Sequence, residues 1–316
     1  MPLASSFKPL AGSRRRRASG LKLEACGRPH TDRHLLCVPS GMARTSTFLL
    51  AGIGLFTMAF AQSDRPAETD PAPASTVNTS YRTINHDVFK AGEKLTYIVH
   101  YGWMNAGEAV VELRDVEQPI MGRKVLRAVG RGRSLGAFNA FYKVDDYYES
   151  QFDAQGVFPW MFQRRVSEGG YEFSQDYFYR QHKNEVVTQE PKTHAVPPSV
   201  QDMLSAFYYA RTLDFSNAKP GDVYTIQTFL DDELWPLQMK YIGKETIKLR
   251  NGKYRCMKFQ PVVQEGRVFK TNDDLNVWIT DDGNKIPVLA QAKVLVGSIK
   301  MELSKFEGLS HPIAKQ

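Results

Sequence analysis

The chain has 316 residues, 42% hydrophobic and 11% aromatic, with 41 Lys+Arg against 34 Asp+Glu and a formal net charge of +7. The composition is that of a globular protein, but the excess charge is local: it sits in residues 1–41 and Arg44, and from Gln62 onward acidic and basic residues balance. A grip on phosphate backbones needs clustered Lys and Arg on the folded part, so no nucleic-acid partner is expected.

Residues 1–41 carry Arg14-Arg15-Arg16-Arg17 among scattered Pro and Gly with no apolar period. Such sequence does not build a core, and the segment is expected to be untranslated or disordered, with Met42 as the biological start. Met42-Ala43-Arg44-Thr45 then leads into the apolar stretch Phe48–Phe60 and the small residues Ala59 and Ala61. A short positive region, an apolar region and small residues before a cut make a secretory signal. The stretch is shorter than the roughly 20 residues that span a bilayer as a helix. Residues 42–61 therefore read as a signal peptide cleaved after Ala61, placing the chain in the periplasm, free or peripheral to the outer membrane.

Residues 62–85, with Pro66, Pro71 and Pro73 among Ala, Ser, Thr and Asp, read as a flexible linker. Cys26 and Cys37 precede it, which leaves Cys256 alone in the exported part. In the alternating segment Tyr254–Phe259 it reads as a small buried hydrophobe rather than a nucleophile.

From His86 period-two segments recur, separated by Gly, Asn and Asp, and each predicts a strand. They run Lys94–Tyr101, Glu108–Val116, Lys124–Gly130, Phe141–Phe152, Val157–Val166, Tyr171–Arg180 and Glu185–Gln189. After a break come Val223–Phe229, Leu237–Tyr241, Thr246–Arg250, Tyr254–Gln260, Leu275–Thr280, Ile286–Leu295 and Ile299–Leu303. Asp281-Asp282-Gly283-Asn284 predicts a hairpin in which Gly and Asn take positive φ. In the break, Ser199 and Asp202 predict a capping box, and Val200, Met203, Leu204, Phe207, Tyr208 and Arg211 share one helical face. The expected fold is mainly β: a curved antiparallel sheet or half-barrel of many strands wrapped around one central amphipathic helix. It occupies a single domain over 86–306, with a C-terminal tail at 307–316.

Particular residues carry a likeness. Phe89–Tyr97, Tyr101-Gly102, Ala106–Ala109, the helix Val200–Arg211, Phe259-Gln260-Pro261, Trp278–Asp282, Ile286-Pro287-Val288 and Gly297–Lys300 resemble the bacterial family catalogued as domain of unknown function 3108. The resemblance covers roughly residues 86–306. It implies a β-rich half-barrel in exported envelope proteins, with no assigned activity and no catalytic motif, so no functional residue is carried over.

Known chemistry is sought directly. Gly102–Gly107 has the P-loop spacing, but Glu108 follows where Lys and Ser/Thr are needed. Gly130–Gly136 misses the dinucleotide fingerprint and reads as a loop between strands, where Arg131 and Arg133 are weak candidates for holding an anion. The histidines lack metal-ligand spacing, His100 reads as a surface or packing residue, and Asp231-Asp232-Glu233 and Asp273-Asp274 read as solvated turns. No cofactor and no metal are expected. The aromatic load is the remaining feature, first as core and second as the lining of an apolar groove, with Met203, Phe207 and Tyr208 on the helix and Trp160 and Tyr142 on the strands.

The leading expectation is a non-enzymatic envelope protein holding an apolar or amphipathic, lipid-like ligand. One alternative is a structural or partner-binding envelope component with a closed core, recruiting an envelope protein. The other is a polysaccharide-acting enzyme, which converging carboxylates in opposed environments would favour. An open cavity separates the first from the second.

Overall fold

Along Lys94–Tyr101 half-buried and buried side chains alternate, and Leu95, Tyr97 and Val99 are each at most 2% exposed. Strand geometry sends every second side chain to one face, so this segment commits one face to the core. The computed structural model describes residues 80–190, 192–262, 275–293 and 297–316. The segments expected at 1–41 and 42–61 lie outside the described residues, as do Asp273-Asp274 and the end of the strand expected at Ile286–Leu295.

The strands are β1 (Lys94–Tyr101), β2 (Met104–Ile120), β3 (Arg123–Ser134), β4 (Asp145–Asp153), β5 (Pro159–Glu168), β6 (Tyr171–Arg180) and β7 (Glu185–Thr188). They continue as β8 (Thr193–Ala195), β9 (Val223–Leu230), β10 (Glu233–Leu249), β11 (Gly252–Pro261), β12 (Leu275–Thr280), β13 (Pro287–Lys293) and β14 (Ser298–Glu307). Among the described residues two short α-helices interrupt them, α1 (Gly136–Phe141) and α2 (Met203–Thr212). All strands join one 14-stranded antiparallel sheet, ordered β8 to β1 and then β14 to β9. Each neighbour in the first half is linked by a short connection. β1 then pairs with β14, so the first and last described strands meet in mid-sheet.

The sheet is not closed by a ladder, since β8 and β9 remain its two edges. Polar contacts draw the ends together instead. Gln201 bridges to Thr228 in parallel, with Gln201 N donating to Gln227 O at 2.9 Å and Phe229 N donating to Gln201 O at 2.8 Å. The β9–β10 turn carries Asp231 and Asp232 at φ 50° and 66°, the left-handed pair of a two-residue hairpin. The Tyr177 hydroxyl donates to Asp232 Oδ1 at 2.7 Å and accepts from Asp232 N at 2.8 Å. Arg164 pairs with Asp231 beside it. The turn is exposed, as expected of Asp231-Asp232-Glu233, and also latches onto β5 and β6.

Several expectations need correction. The helix is ten residues long and starts at Met203, capped by Asp202 rather than Ser199. Asp202 accepts from Leu204 N and Ser205 N, Ser205 Oγ accepts from Asp202 N, and Ser199 lies in left-handed space at φ 57°. Leu204, Ser205, Ala206, Tyr208 and Arg211 are all buried, so the helix is covered on several sides instead of amphipathic. It packs against β3, β4 and β9. Gly130–Gly136 is no loop: β3 runs to Ser134, paired on both sides, and leads directly into α1. Phe141 ends α1 instead of opening a strand. The segments expected at Leu237–Tyr241 and Thr246–Arg250 are one strand, β10, with its register shifted at Gly243. β8 carried too short an alternation to be foreseen. In the β12–β13 turn the positive φ falls on Lys285 (48°), because Asp282 Oδ1 accepts from Asn284 N and Lys285 N and sets the turn.

Both ends of the described chain are fastened to the sheet. From the linker expected at 62–85, Arg82 donates to Gly156 O and Val157 O at 2.8 Å each, and Ile84 N donates to Gln155 O. From the tail expected at 307–316, Ala314 N donates to Asp282 Oδ2 at 2.6 Å and Asn284 donates to His311 O.

Candidate functional site

The α2 side of the sheet is filled by aromatic rings. Phe152, Phe162, Tyr177 and Tyr208 are fully buried and Phe229 is nearly so, in one cluster with Leu204 and Val200. Tyr208 meets Phe89 at 4.9 Å and Phe152 at 5.3 Å between ring centroids, and Tyr177 meets Phe229 at 5.1 Å. Met203 and Phe207 are half-buried against the same cluster.

Beneath Tyr208 lies an ion pair that no sequence expectation singled out. Arg211 Nη1 and Nη2 donate to the two Glu93 oxygens at 2.6 and 2.7 Å, and Nε donates to Asn284 O at 2.9 Å. Both side chains are at most 1% exposed, and the rings of Phe89, Phe207 and Tyr208 surround the guanidinium at 5.4–5.6 Å. Burial works against the Arg211 charge, but Glu93 outweighs it and holds the pKa above the ordinary arginine range. The signal was available: an arginine on the apolar face of a helix demands a buried anion.

The other candidate residues lie apart. Trp160 joins Phe158 and Val125 in a separate cluster covered by Tyr81, whose ring stands 5.4 Å away. Tyr142 packs on a third cluster containing Val99, Ala106 and Leu275. The structure therefore does not gather Met203, Phe207, Tyr208, Trp160 and Tyr142 around one groove. Arg131 and Arg133 are exposed on β3, in register with both β2 and β4. Arg133 pairs with Glu108 at 2.7 Å, and Arg131 lies over the Tyr147 ring.

Two polar features emerge that the sequence did not mark. Asp146, 2% exposed, lies beside Glu168 near the β5–β6 turn, and Ser167 N donates to Asp146 Oδ1 at 3.0 Å. Burial raises both carboxyls, and the neighbouring Asp146 carboxylate raises Glu168 further. Both groups are pushed the same way, which is not the pair of opposed environments that an acid and a base need. The second feature is a cleft of ≈ 170 Å³ lined by Ile98, His100, Arg250, Asn251 and Glu302. His100, expected at the surface or in packing, is buried there, with Nε2 3.9 Å from Glu302. Burial and Arg250 lower its pKa, which keeps the ring neutral at pH 7. Burial also pushes the Cys256 thiol up to about 12, as suits a packing residue.

Residues 96–304 match the family described as protein of unknown function DUF3108. The chain belongs to the DUF3108 family. No curated protein matches it. Among solved structures, a beta-barrel-like protein of domain of unknown function DUF1849 from Brucella abortus aligns at 10% identity and TM-score 0.44, over 72% of this chain and 99% of that one. An inferred lipoprotein from Parabacteroides distasonis aligns at 10% identity and TM-score 0.31, over 72% and 100%. An inferred exported protein with YmcC-like fold from Bacteroides fragilis aligns at 10% identity and TM-score 0.27, over 72% and 99%.

Proposed function

We propose that this DUF3108 member is an exported, non-catalytic envelope protein with a closed core, working through its surface as a structural or partner-binding component. The observation that carries this reading is the filled interior. A lipid carrier needs an apolar cavity on the order of 300–1,000 Å³, whereas the space between α2 and the sheet is occupied by Phe152, Phe162, Tyr177, Tyr208 and Phe229. The ≈ 170 Å³ cleft at His100 is smaller than that and lies between β1, β14 and the β10–β11 turn. The signal-like segment 42–61 and the charge-balanced body support the envelope location.

Native mass spectrometry on the chain, expressed with its own leader and recovered from the periplasm without detergent, tests the reading. The expected result is a clean mass starting at Gln62 and no uptake of added phospholipid or fatty acid. A discrete adduct, released by organic solvent and identified as lipid, overturns it.

A further inference from the structure

Ile98 of β1 and Glu302 of β14 are register partners, and His100 pairs with Lys300 further along. The β10–β11 turn is bonded to β14 beside them. Asn251 Nδ2 donates to Leu303 O at 3.0 Å and to Ser304 O at 3.2 Å, and Arg250 N donates to Glu302 Oε1 at 2.7 Å. These bonds fix the walls of the ≈ 170 Å³ cleft, which Ile98, His100 and Leu303 also line. It has room for on the order of ten water-sized atoms.

The polar groups of the cleft are held in place but not completed. The His100 side chain is 6% exposed, and its Nε2 has no hydrogen-bond partner. Glu302 Oε2 stands 3.9 Å from it, beyond hydrogen-bond reach. Among the described residues, no Lys or Arg lies within ion-pair distance of Glu302, whose side chain is only 15% exposed, and no carboxylate lies within that distance of Arg250. The Arg250 guanidinium reaches only Asn105 Oδ1, at 3.5 Å. An arginine and a glutamate that share a cleft gain most by pairing with each other. Here the backbone bond between them is made and the side-chain pair is not.

The charges define the chemistry that would complete them. Burial and Arg250 keep the His100 ring neutral, and Lys300 is a further charge felt there. One imidazole and one carboxylate are too few to hold a metal ion. A simple anion would meet Glu302, a simple cation would meet Arg250, and a neutral molecule would leave both charges unpaired. A small molecule carrying an ammonium and a carboxylate satisfies both at once.

We propose that this cleft binds a compact zwitterion, an α-amino acid or dipeptide, with its carboxylate on Arg250 and its ammonium between Glu302 Oε2 and His100 Nε2. Ile98 and Leu303 offer apolar surface to a small aliphatic side chain. Such a site lies outside the filled interior and holds no lipid, so it stands or falls apart from the envelope reading.

Equilibrium dialysis of the purified full chain against radiolabelled L-alanine, D-alanine and dialanine tests the proposal. Saturable binding of at least one is expected, in the micromolar to millimolar range. The preferred probe tells a free amino acid from a peptide. N-acetylalanine lacks the ammonium and alaninamide lacks the carboxylate, and each is expected to compete about tenfold or more weakly than alanine. Arg250→Gln and Glu302→Gln are each expected to weaken binding about tenfold or more. Both should keep the melting temperature, because Arg250 is exposed and glutamine still accepts from Arg250 N. No saturable binding of any of these probes up to about 10 mM overturns the proposal. N-acetylalanine competing as well as alanine overturns it in favour of an anion site, and alaninamide doing so overturns it in favour of a cation site. Binding unchanged in both variants also overturns it and places the ligand elsewhere. Should Glu302→Gln fail to fold, Arg250→Gln decides by itself.

Discussion

The Arg211–Glu93 pair shows how one side chain reorganises the interior around it. Two charges taken out of water cost several kcal/mol each, and a bidentate contact with good geometry repays that cost only while both partners remain. Removing one leaves the other charge buried and uncompensated. Arg211→Met is therefore expected to destabilise the protein by about 3–5 kcal/mol in urea unfolding. The double variant Arg211→Met, Glu93→Leu is expected to recover most of that loss. Equal losses in the single and double variants would mean that the ion pair does not hold the fold together. The pair also joins distant parts of the chain: Glu93 precedes β1, Arg211 ends α2, and Asn284 sits in the β12–β13 turn.

At the scale of the element, α2 illustrates a competition between two adjacent start signals. Ser199 and Asp202 both belong to the residue types that cap helices. Pro197 and Pro198 hold the chain extended ahead of them, and the bridge from Gln201 to β9 fixes the segment before the helix can begin. Asp202 is then the first residue free to cap, and Ser150 Oγ donates to its second oxygen at 2.6 Å. Burial lifts its carboxyl to about 6 against these hydrogen bonds. Asp202→Ala is expected to cost about 1–2 kcal/mol of stability in thermal or urea unfolding. Ser199→Gly is expected to be neutral or to stabilise by up to about 1 kcal/mol, because glycine carries no penalty at φ 57°. A larger loss from Ser199→Gly than from Asp202→Ala would reverse the assignment. Most strands were legible because period-two alternation survives in each of them, and Lys94–Tyr101, Tyr171–Arg180 and Leu275–Thr280 begin and end where alternation places them. The strand containing Arg131 and Arg133 was cut short because its glycines mimic a loop. The close approach is at Gly107 on the neighbouring β2, where a Cβ would stand 2.8 Å from Arg133 O.

For the whole molecule the central problem is an open sheet with two edges, which invites pairing with another chain. The protein meets it with β8, only three residues long, and with the Gln201 bridge over part of β9. The Tyr177–Asp232 and Arg164–Asp231 contacts then tie the β9–β10 turn across to β5 and β6. Tyr177→Phe removes two hydrogen bonds from this latch and is expected to cost about 1–2 kcal/mol. By hydrogen exchange, amides of the β9–β10 turn should open first, with β1, β2 and β14 unchanged. Uniform acceleration across the sheet would show that the latch is not a local device.

Local pattern by itself determined the strand-rich class, the antiparallel order of neighbours, the buried cysteine and the family likeness, because alternation and turn chemistry act between residues close in the chain. Tertiary structure alone decided which expected residues meet. Tyr208 was placed inside a ring cluster while Trp160 and Tyr142 went to separate ones. It also decided that Glu93 answers Arg211, that Glu168 comes to lie beside the buried Asp146, and that Trp103 and Phe141 emerge on the same rim of the sheet. Each of these depends on how a long sheet curls and on which turns share an end, and no periodicity within a single strand encodes that.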